Sequence, residues 1–146
     1  MLNMLKHAHS GLRWVFLALI VAALINAFLK WRKGADFAES DRKLNLFTMI
    51  AAHIQLLTGI ALYFISGKVI MEGASMKDSI LRFFLVEHPV MMVLAVILIT
   101  IGYSKSKKLA DSTARFKATL IFMGVGFLLL LAGIPWPFRE LGGGWF

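Results

Sequence analysis

Long apolar stretches alternate with short charged ones along the whole chain. Four stretches carry no charged residue, at 14–29, 44–67, 88–104 and 118–138. A helix needs about 20 apolar residues to cross the hydrocarbon core of a bilayer. The first and third stretches reach that length only if residues 5–13 and 79–87 extend them. The pattern therefore predicts four transmembrane helices, which we place roughly at residues 5–30, 43–67, 79–104 and 116–135.

Short polar connections between the four spans are typical of an all-α, four-helix transmembrane up-and-down bundle. We expect residues 1–146 to form a single integral membrane domain, with Ser40 or Asp41 as the N-cap of the second helix. The first apolar stretch ends in Lys30-Trp31-Arg32-Lys33, where a signal peptide needs small residues at a cleavage site. We therefore expect this stretch to be a retained helix.

Composition supports the membrane interpretation. Hydrophobic residues make up 59% of the chain and charged residues 16%, whereas soluble domains average about 45–50% and about 25%. This balance argues against a cytosolic enzyme, a disordered chain or a protein whose main partner is nucleic acid. The chain has no cysteine, so disulfides, thiolate metal sites and cysteine nucleophiles are excluded.

The basic residues predict the orientation in the membrane. Ten of the 16 lysines and arginines fall in the first and third connections: Lys30, Arg32, Lys33, Arg42, Lys43, Lys105, Lys107, Lys108, Arg115 and Lys117. Basic residues are enriched in cytoplasmic loops. Both termini and the second connection are therefore expected on the outer side.

Histidines within the spans are the strongest candidates for chemistry, because ionisable residues are costly inside a bilayer. Histidine is also a common axial ligand of heme iron. We counted depth from the basic cytoplasmic end of each helix at about 1.5 Å per residue. The depths are roughly 31 Å for His9, 25 Å for His88 and 15 Å for His53. Two ligands of one heme should lie at similar depth, so His9 and His88 form the better pair.

Each of these residues also has a purely structural interpretation. His9 could be an interfacial residue beside the headgroups, and His53 could be hydrogen-bonded to a neighbouring helix. Arg13 follows His9 by four residues and shares its helix face; it could contact a heme propionate or extend to the interface. His53 and Gln55 are candidates for a second site that serves another heme, a quinone or a proton path.

Several short motifs resemble those of small bacterial four-helix membrane proteins generally called cytochrome b. They are His9-Ser10-Gly11-Leu12-Arg13-Trp14, His53-Ile54-Gln55-Leu56-Leu57-Thr58-Gly59, Glu87-His88-Pro89 and Ile134-Pro135-Trp136-Pro137-Phe138. The resemblance covers nearly the whole chain. It implies heme b as cofactor and a multi-pass protein of the bacterial inner membrane. One heme is favoured over two, because no other histidine lies at the depth of His53.

A second, weaker similarity is to the half-bundles of heme A synthase. The matching positions are His9 with Arg13, Gln55 with Gly59, and His88. This similarity implies His9 and His88 as axial ligands. In that family, however, the histidine and the arginine are adjacent, whereas here they are four residues apart, and half a bundle does not imply the synthase reaction.

Three functions are therefore weighed. The first is electron transfer by a b-type heme protein, between a quinol or membrane dehydrogenase and a partner on the outer side. The second is a heme-free subunit of a larger respiratory or transport assembly. The third is a divalent-metal site built from His9, His88 and Glu87, since histidine with carboxylate suits zinc, copper or iron.

Overall fold

Four long helices make up most of the protein. The computed structural model describes residues 1–145, and for Ala74 only the backbone. The helices are α1 (Leu2–Arg32), α2 (Glu39–Ile65), α3 (Ser79–Lys108) and α4 (Ser112–Gly133), and each is long and apolar enough to cross a membrane. No strand occurs among the described residues. The predicted all-α, four-helix bundle of a multi-pass membrane protein is thus confirmed.

The helices pack in sequence order around a common core. α1 packs against α2, α2 against α3 and α3 against α4, while the first half of α4 returns to α1. The core between them contains Phe16, Ile20, Ala52, Ile99 and Met123, among other residues. In this arrangement α1 and α3 lie diagonally opposite each other, with α2 and α4 between them.

The helix ends differ from the predicted ones by up to four residues. α2 begins at Glu39 instead of residue 43, α3 continues to Lys108, and α4 begins at Ser112. Lysine and arginine have favourable helix propensities, so the basic residues of the first and third connections mostly belong to helix ends.

The start of α2 corrects a second expectation. Its N-cap is Ala38, not Ser40 or Asp41. Asp41 lies three residues further on, and its carboxylate accepts a hydrogen bond from the Ala38 amide at 2.8 Å. This is the reciprocal half of a capping box, in which the acidic side chain reaches back to the first free amide of the helix.

Two helices contain a single π-helical turn, Phe83–Glu87 in α3 and Thr119–Met123 in α4. In a regular α-helix, the Leu85 carbonyl would accept from the amide of residue 89, but Pro89 has no N–H. The Tyr63 hydroxyl of α2 donates to that carbonyl at 3.1 Å. A neighbouring helix therefore satisfies the backbone group that the proline leaves free.

The surface and the interior have the polarity expected in a bilayer. Large apolar side chains such as Leu57, Phe64 and Leu128 point outward and are more than half exposed. Several polar side chains are buried instead, including Asn45, Thr48, Ser106 and Thr119. A hydrophobic exterior around polar contacts between helices is what a lipid solvent favours.

Near the end that carries the basic residues, Asn45 joins three helices. Its amide donates to the hydroxyls of Ser106 on α3 and Thr119 on α4, at 3.2 and 2.8 Å. Nearby on α4, Gly126 permits close packing, since a Cβ there would lie 3.1 Å from the Ala95 carbonyl oxygen. These contacts fix α2, α3 and α4 relative to one another.

We predict that Asn45→Ala lowers the free energy of unfolding in detergent by about 1 kcal/mol, the usual size of a polar contact between membrane helices. Unfolding by sodium dodecyl sulfate, followed by circular dichroism, measures the change. Leu57→Ala is the control, because Leu57 faces outward. Equal stability of the two variants would contradict the role of Asn45.

Candidate functional site

A cavity of about 570 Å³ opens between the four helices. It lies towards the end of the bundle opposite the basic residues of the first and third connections. Every helix contributes to its wall, for example His9 of α1, Gln55 of α2, His88 of α3 and Leu130 of α4. Glycines of the segment 142–144 line it as well. Its volume lies within the range of about 300–1,000 Å³ that is usual for small-molecule and cofactor sites.

His88 follows directly after the π-helical turn of α3. Its Nδ1 lies 2.7 Å from the carbonyl oxygen of Gly133, the last residue of α4. A carbonyl can only accept, so Nδ1 carries the proton and Nε2 keeps its lone pair. The rings of Phe83 and Phe84 flank the imidazole, with centroids 5.8 and 6.4 Å from it.

His9 is oriented by α2 in a comparable way. Its Nδ1 lies 3.0 Å from the Thr58 hydroxyl, and that hydroxyl donates its own hydrogen to the Gln55 carbonyl at 3.0 Å. Thr58 therefore accepts from His9, which again places the ring proton on Nδ1. Gly59 makes room for the ring, since a Cβ at that position would lie 3.2 Å from His9 Cε1.

The two histidines thus present the same chemistry to one cavity. Each donates Nδ1–H to the protein, which leaves Nε2 as a potential metal ligand. Such a second hydrogen bond fixes both the tautomer and the ring orientation of ligating histidines. His9 Nε2 has one weak neighbour, the Gln55 amide nitrogen at 3.5 Å.

Gln55 and Arg13 line the cavity beside His9. The Gln55 amide donates to the His9 backbone carbonyl at 2.8 Å, while its Oε1 is buried without a donor in the described chain. Arg13 is buried, with 8% of its surface exposed. Its Nε likewise has no acceptor among the described residues. Each of these two cavity-lining side chains therefore keeps one buried polar atom unpaired.

Aromatic rings surround the Arg13 guanidinium. Its carbon lies 5.3 Å from the Trp14 ring centroid and 5.9 Å from that of Trp136. Trp145 packs against both tryptophans, at centroid distances of 6.2 and 6.3 Å. These rings hold the charged group at the edge of the cavity through cation–π contacts.

The remaining sequence candidates lie elsewhere. His53 is exposed on the outer face of α2, where its Nδ1 donates to the Met49 carbonyl at 2.8 Å. It is not among the residues that line the cavity. Glu87 is ion-paired with Arg82 at 2.8 Å. Exposed His7 lies at the cavity edge.

Within residues 1–145, no group of three or more His, Cys, Asp or Glu side chains is arranged to hold a metal ion. The structure therefore gives no support to a three-ligand site made of His9, His88 and Glu87.

Two features of the site were not predicted from the sequence. One is the Gly133 carbonyl that orients His88, which no residue type indicates because every residue has a carbonyl. The other is Lys68, which lines the cavity from the connection between α2 and α3. Its position three residues after the end of α2, next to Gly67, was the available signal.

Comparisons with protein-family models, with curated proteins and with solved structures find no match to this chain.

We predict that Thr58→Val shifts the tautomer ratio of His9 about fivefold towards Nε2–H, because a hydrogen bond of about 1 kcal/mol is removed. Nitrogen-15 chemical shifts of histidine-labelled protein measure the ratio. Thr58→Ser keeps the hydroxyl and should preserve the ratio. The hydrogen bond would be ruled out if Thr58→Val and Thr58→Ser gave the same spectrum for His9.

Proposed function

We propose that the protein is a b-type heme-binding membrane protein that transfers electrons. His9 and His88 are the axial ligands of a single heme, and Arg13 contacts a propionate. The observation that supports this most directly is that two histidines on diagonally opposite helices line one cavity, both with Nδ1 engaged by the protein. Histidine ligands held in this way have Nε2 free for iron.

The remaining walls fit a large, mostly apolar ring with an anionic edge. Phe16, Leu17, Met92 and Val96 provide apolar surface in the cavity. Arg13 provides a positive charge whose Nε lacks an acceptor in the described chain. An apolar body beside a buried cation matches the chemistry of a porphyrin with carboxylate side chains.

The roles of the protein residues follow from these contacts. Heme b, when bound, supplies a one-electron couple at its iron. His9 and His88 hold the iron, while the hydrogen bonds to Thr58 and the Gly133 carbonyl keep the two rings oriented. Phe83 and Phe84 pack against His88 and keep water from its ring.

His53 and Gln55 receive separate roles in this proposal. Gln55 lines the cavity and has a buried carbonyl oxygen without a donor, which suits a contact to the ligand edge or a proton path. His53 faces outward, where it is placed to meet a lipid-soluble quinone or a neighbouring subunit. A single heme per chain is the favoured stoichiometry.

The electron donor is proposed to be a quinol or a membrane dehydrogenase, and the acceptor a partner on the outer side. The cavity lies towards the end that carries both the start of α1 and the end of α4. The positive-inside rule favours the outer side for that end, and the inner membrane of a bacterium is the proposed location.

We predict that His9→Ala and His88→Ala each abolish the low-spin spectrum of the reduced, heme-loaded protein. A single remaining ligand holds heme weakly and leaves the iron high-spin. Absorption spectra and the pyridine hemochrome assay, which should give one heme per chain in the unaltered protein, measure both effects. His53→Ala is the matched control, since His53 does not line the cavity.

Three results would redirect the proposal. Full low-spin heme in both His9→Ala and His88→Ala would refute the ligand pair and direct attention to His53. Two hemes per chain would contradict the favoured stoichiometry. Purified protein without a Soret band, even after incubation with hemin, would favour the heme-free subunit.

The orientation is tested separately by topology reporters. We expect a cytoplasmic signal from a fusion at Gly34 and an outer signal from fusions at Gly73 and after residue 146. The physical reason is the excess of basic residues in and beside the first and third connections, around residues 34 and 110. A cytoplasmic signal from the fusion after residue 146 would reverse the map.

A further inference from the structure

Two cationic side chains at the edge of the cavity, Arg13 and Lys68, donate to the same short backbone segment. The Arg13 guanidinium donates to the carbonyls of Gly144 and Trp145 at 3.1 and 2.8 Å. The Lys68 ammonium donates to the Gly142 carbonyl at 3.0 Å. Residues 142 and 144 lie within about 7 Å even in a fully extended chain. The segment therefore brings the two cations to one edge.

Each cation is associated with one of the two histidines. Arg13 lies one helical turn after His9, on the same face of α1. The Lys68 ammonium lies 4.7 Å from the centroid of Phe84, and that ring is 6.4 Å from His88. A ligand held between the histidines would thus have a positive charge near each of them at this edge.

These charges lack an anionic partner in the cavity. Among the described residues that line the cavity there is no Asp or Glu. Three basic residues do line it, namely Lys6, Arg13 and Lys68. The backbone carbonyls that accept from Arg13 and Lys68 are neutral, and charge-assisted bonds to carboxylates are stronger. Partial burial lowers the pKa of Lys68 from its ordinary value, and the charge of Lys6 lowers the pKa further.

We propose that Arg13 and Lys68 form a paired cation site for the two carboxylates of a dicarboxylic tetrapyrrole. This inference rests on the proposed heme function and adds Lys68 as the second anchor. Carboxylates replace the Gly142–Trp145 carbonyls as acceptors. The pair selects the free acid over neutral ring systems and sets which edge of the ring faces the mouth of the cavity.

The test compares ligands that differ only in their carboxylates. Hemin and hemin dimethyl ester are titrated into the purified protein in neutral detergent, and so are metal-free protoporphyrin IX and its dimethyl ester. Binding to protein-free micelles is subtracted. Soret absorbance and porphyrin fluorescence give the affinities. The metal-free pair isolates the carboxylate contribution, because no iron is present for the histidines to bind.

We expect the unaltered protein to bind each free acid about tenfold or more tightly than its ester, since charge-assisted hydrogen bonds are among the stronger ones. Lys68→Gln should weaken free-acid binding about fivefold, the upper size of a solvent-exposed ion pair, and leave ester binding unchanged. Lys77→Gln is the matched control in the same connection, and it should change neither affinity. Arg13→Lys retains the charge and should preserve most of the preference.

Failure of this inference can be distinguished from failure of the heme proposal. A low-spin hemin spectrum with equal affinities for acid and ester would overturn the cation pair and leave the axial histidines supported. Preference for the free acid without low-spin iron would support the cation pair and contradict the axial histidines. A preference that persists unchanged in Lys68→Gln would overturn the role of Lys68.

An anionic lipid headgroup could in principle supply the same charge. Repeating the titration with phosphatidylglycerol or phosphatidylcholine added to the micelles separates the two sources. Equal affinities for the free acid in both lipids would support the carboxylate site. Loss of the acid preference in phosphatidylglycerol alone would assign the pair to the headgroup and overturn the proposal.

Discussion

Inside the hydrocarbon layer, a polar group has no water to bind and must find its partner within the protein. This requirement accounts for the polar contacts in the interior of the bundle. It pairs the Asn45 amide with two hydroxyls, and it brings Tyr63 to the carbonyl that Pro89 leaves free. It also gives the Nδ1 of His9 and of His88 an acceptor on a neighbouring helix.

The same requirement makes buried polar atoms without a partner worth examining, because each one is costly. Arg13 Nε and Gln55 Oε1 are buried without partners in the described chain, and both belong to residues that line the cavity. The third such atom among the described residues, Ser75 Oγ, lies in the connection between α2 and α3, outside the cavity. Two of the three unpaired atoms therefore lie beside the cavity, which supports the proposed ligand site.

Much of the fold could be predicted from the sequence because transmembrane length is a strong signal. The four spans required only residue counting. The same counting predicted similar depths for His9 and His88, and both residues line the cavity. The face of each helix could not be predicted in this way. Outward and inward faces are both apolar in a membrane helix, so amphipathicity does not distinguish them.

His53 illustrates the difference. By sequence it resembled the other histidines, yet it lies on the outer face of α2, while Gln55 and Gly59 face inward. The hydrogen-bond acceptor of His88 could not be predicted from the sequence either. A backbone carbonyl has no sequence signature, and Gly133 is 45 residues away. The contact of Lys68 at the cavity was not predictable either, because its ammonium donates to the Gly142 carbonyl, 74 residues further along the chain.

The bond between His88 and Gly133 also has a consequence for biogenesis. The acceptor belongs to the last residue of the last helix, so a nascent chain with three inserted helices already contains both histidines but cannot yet orient His88. The cavity is therefore completed, and His88 oriented, only when α4 has packed against α3. The order in which the helices are made would therefore disfavour loading of the proposed heme into a partly synthesised chain.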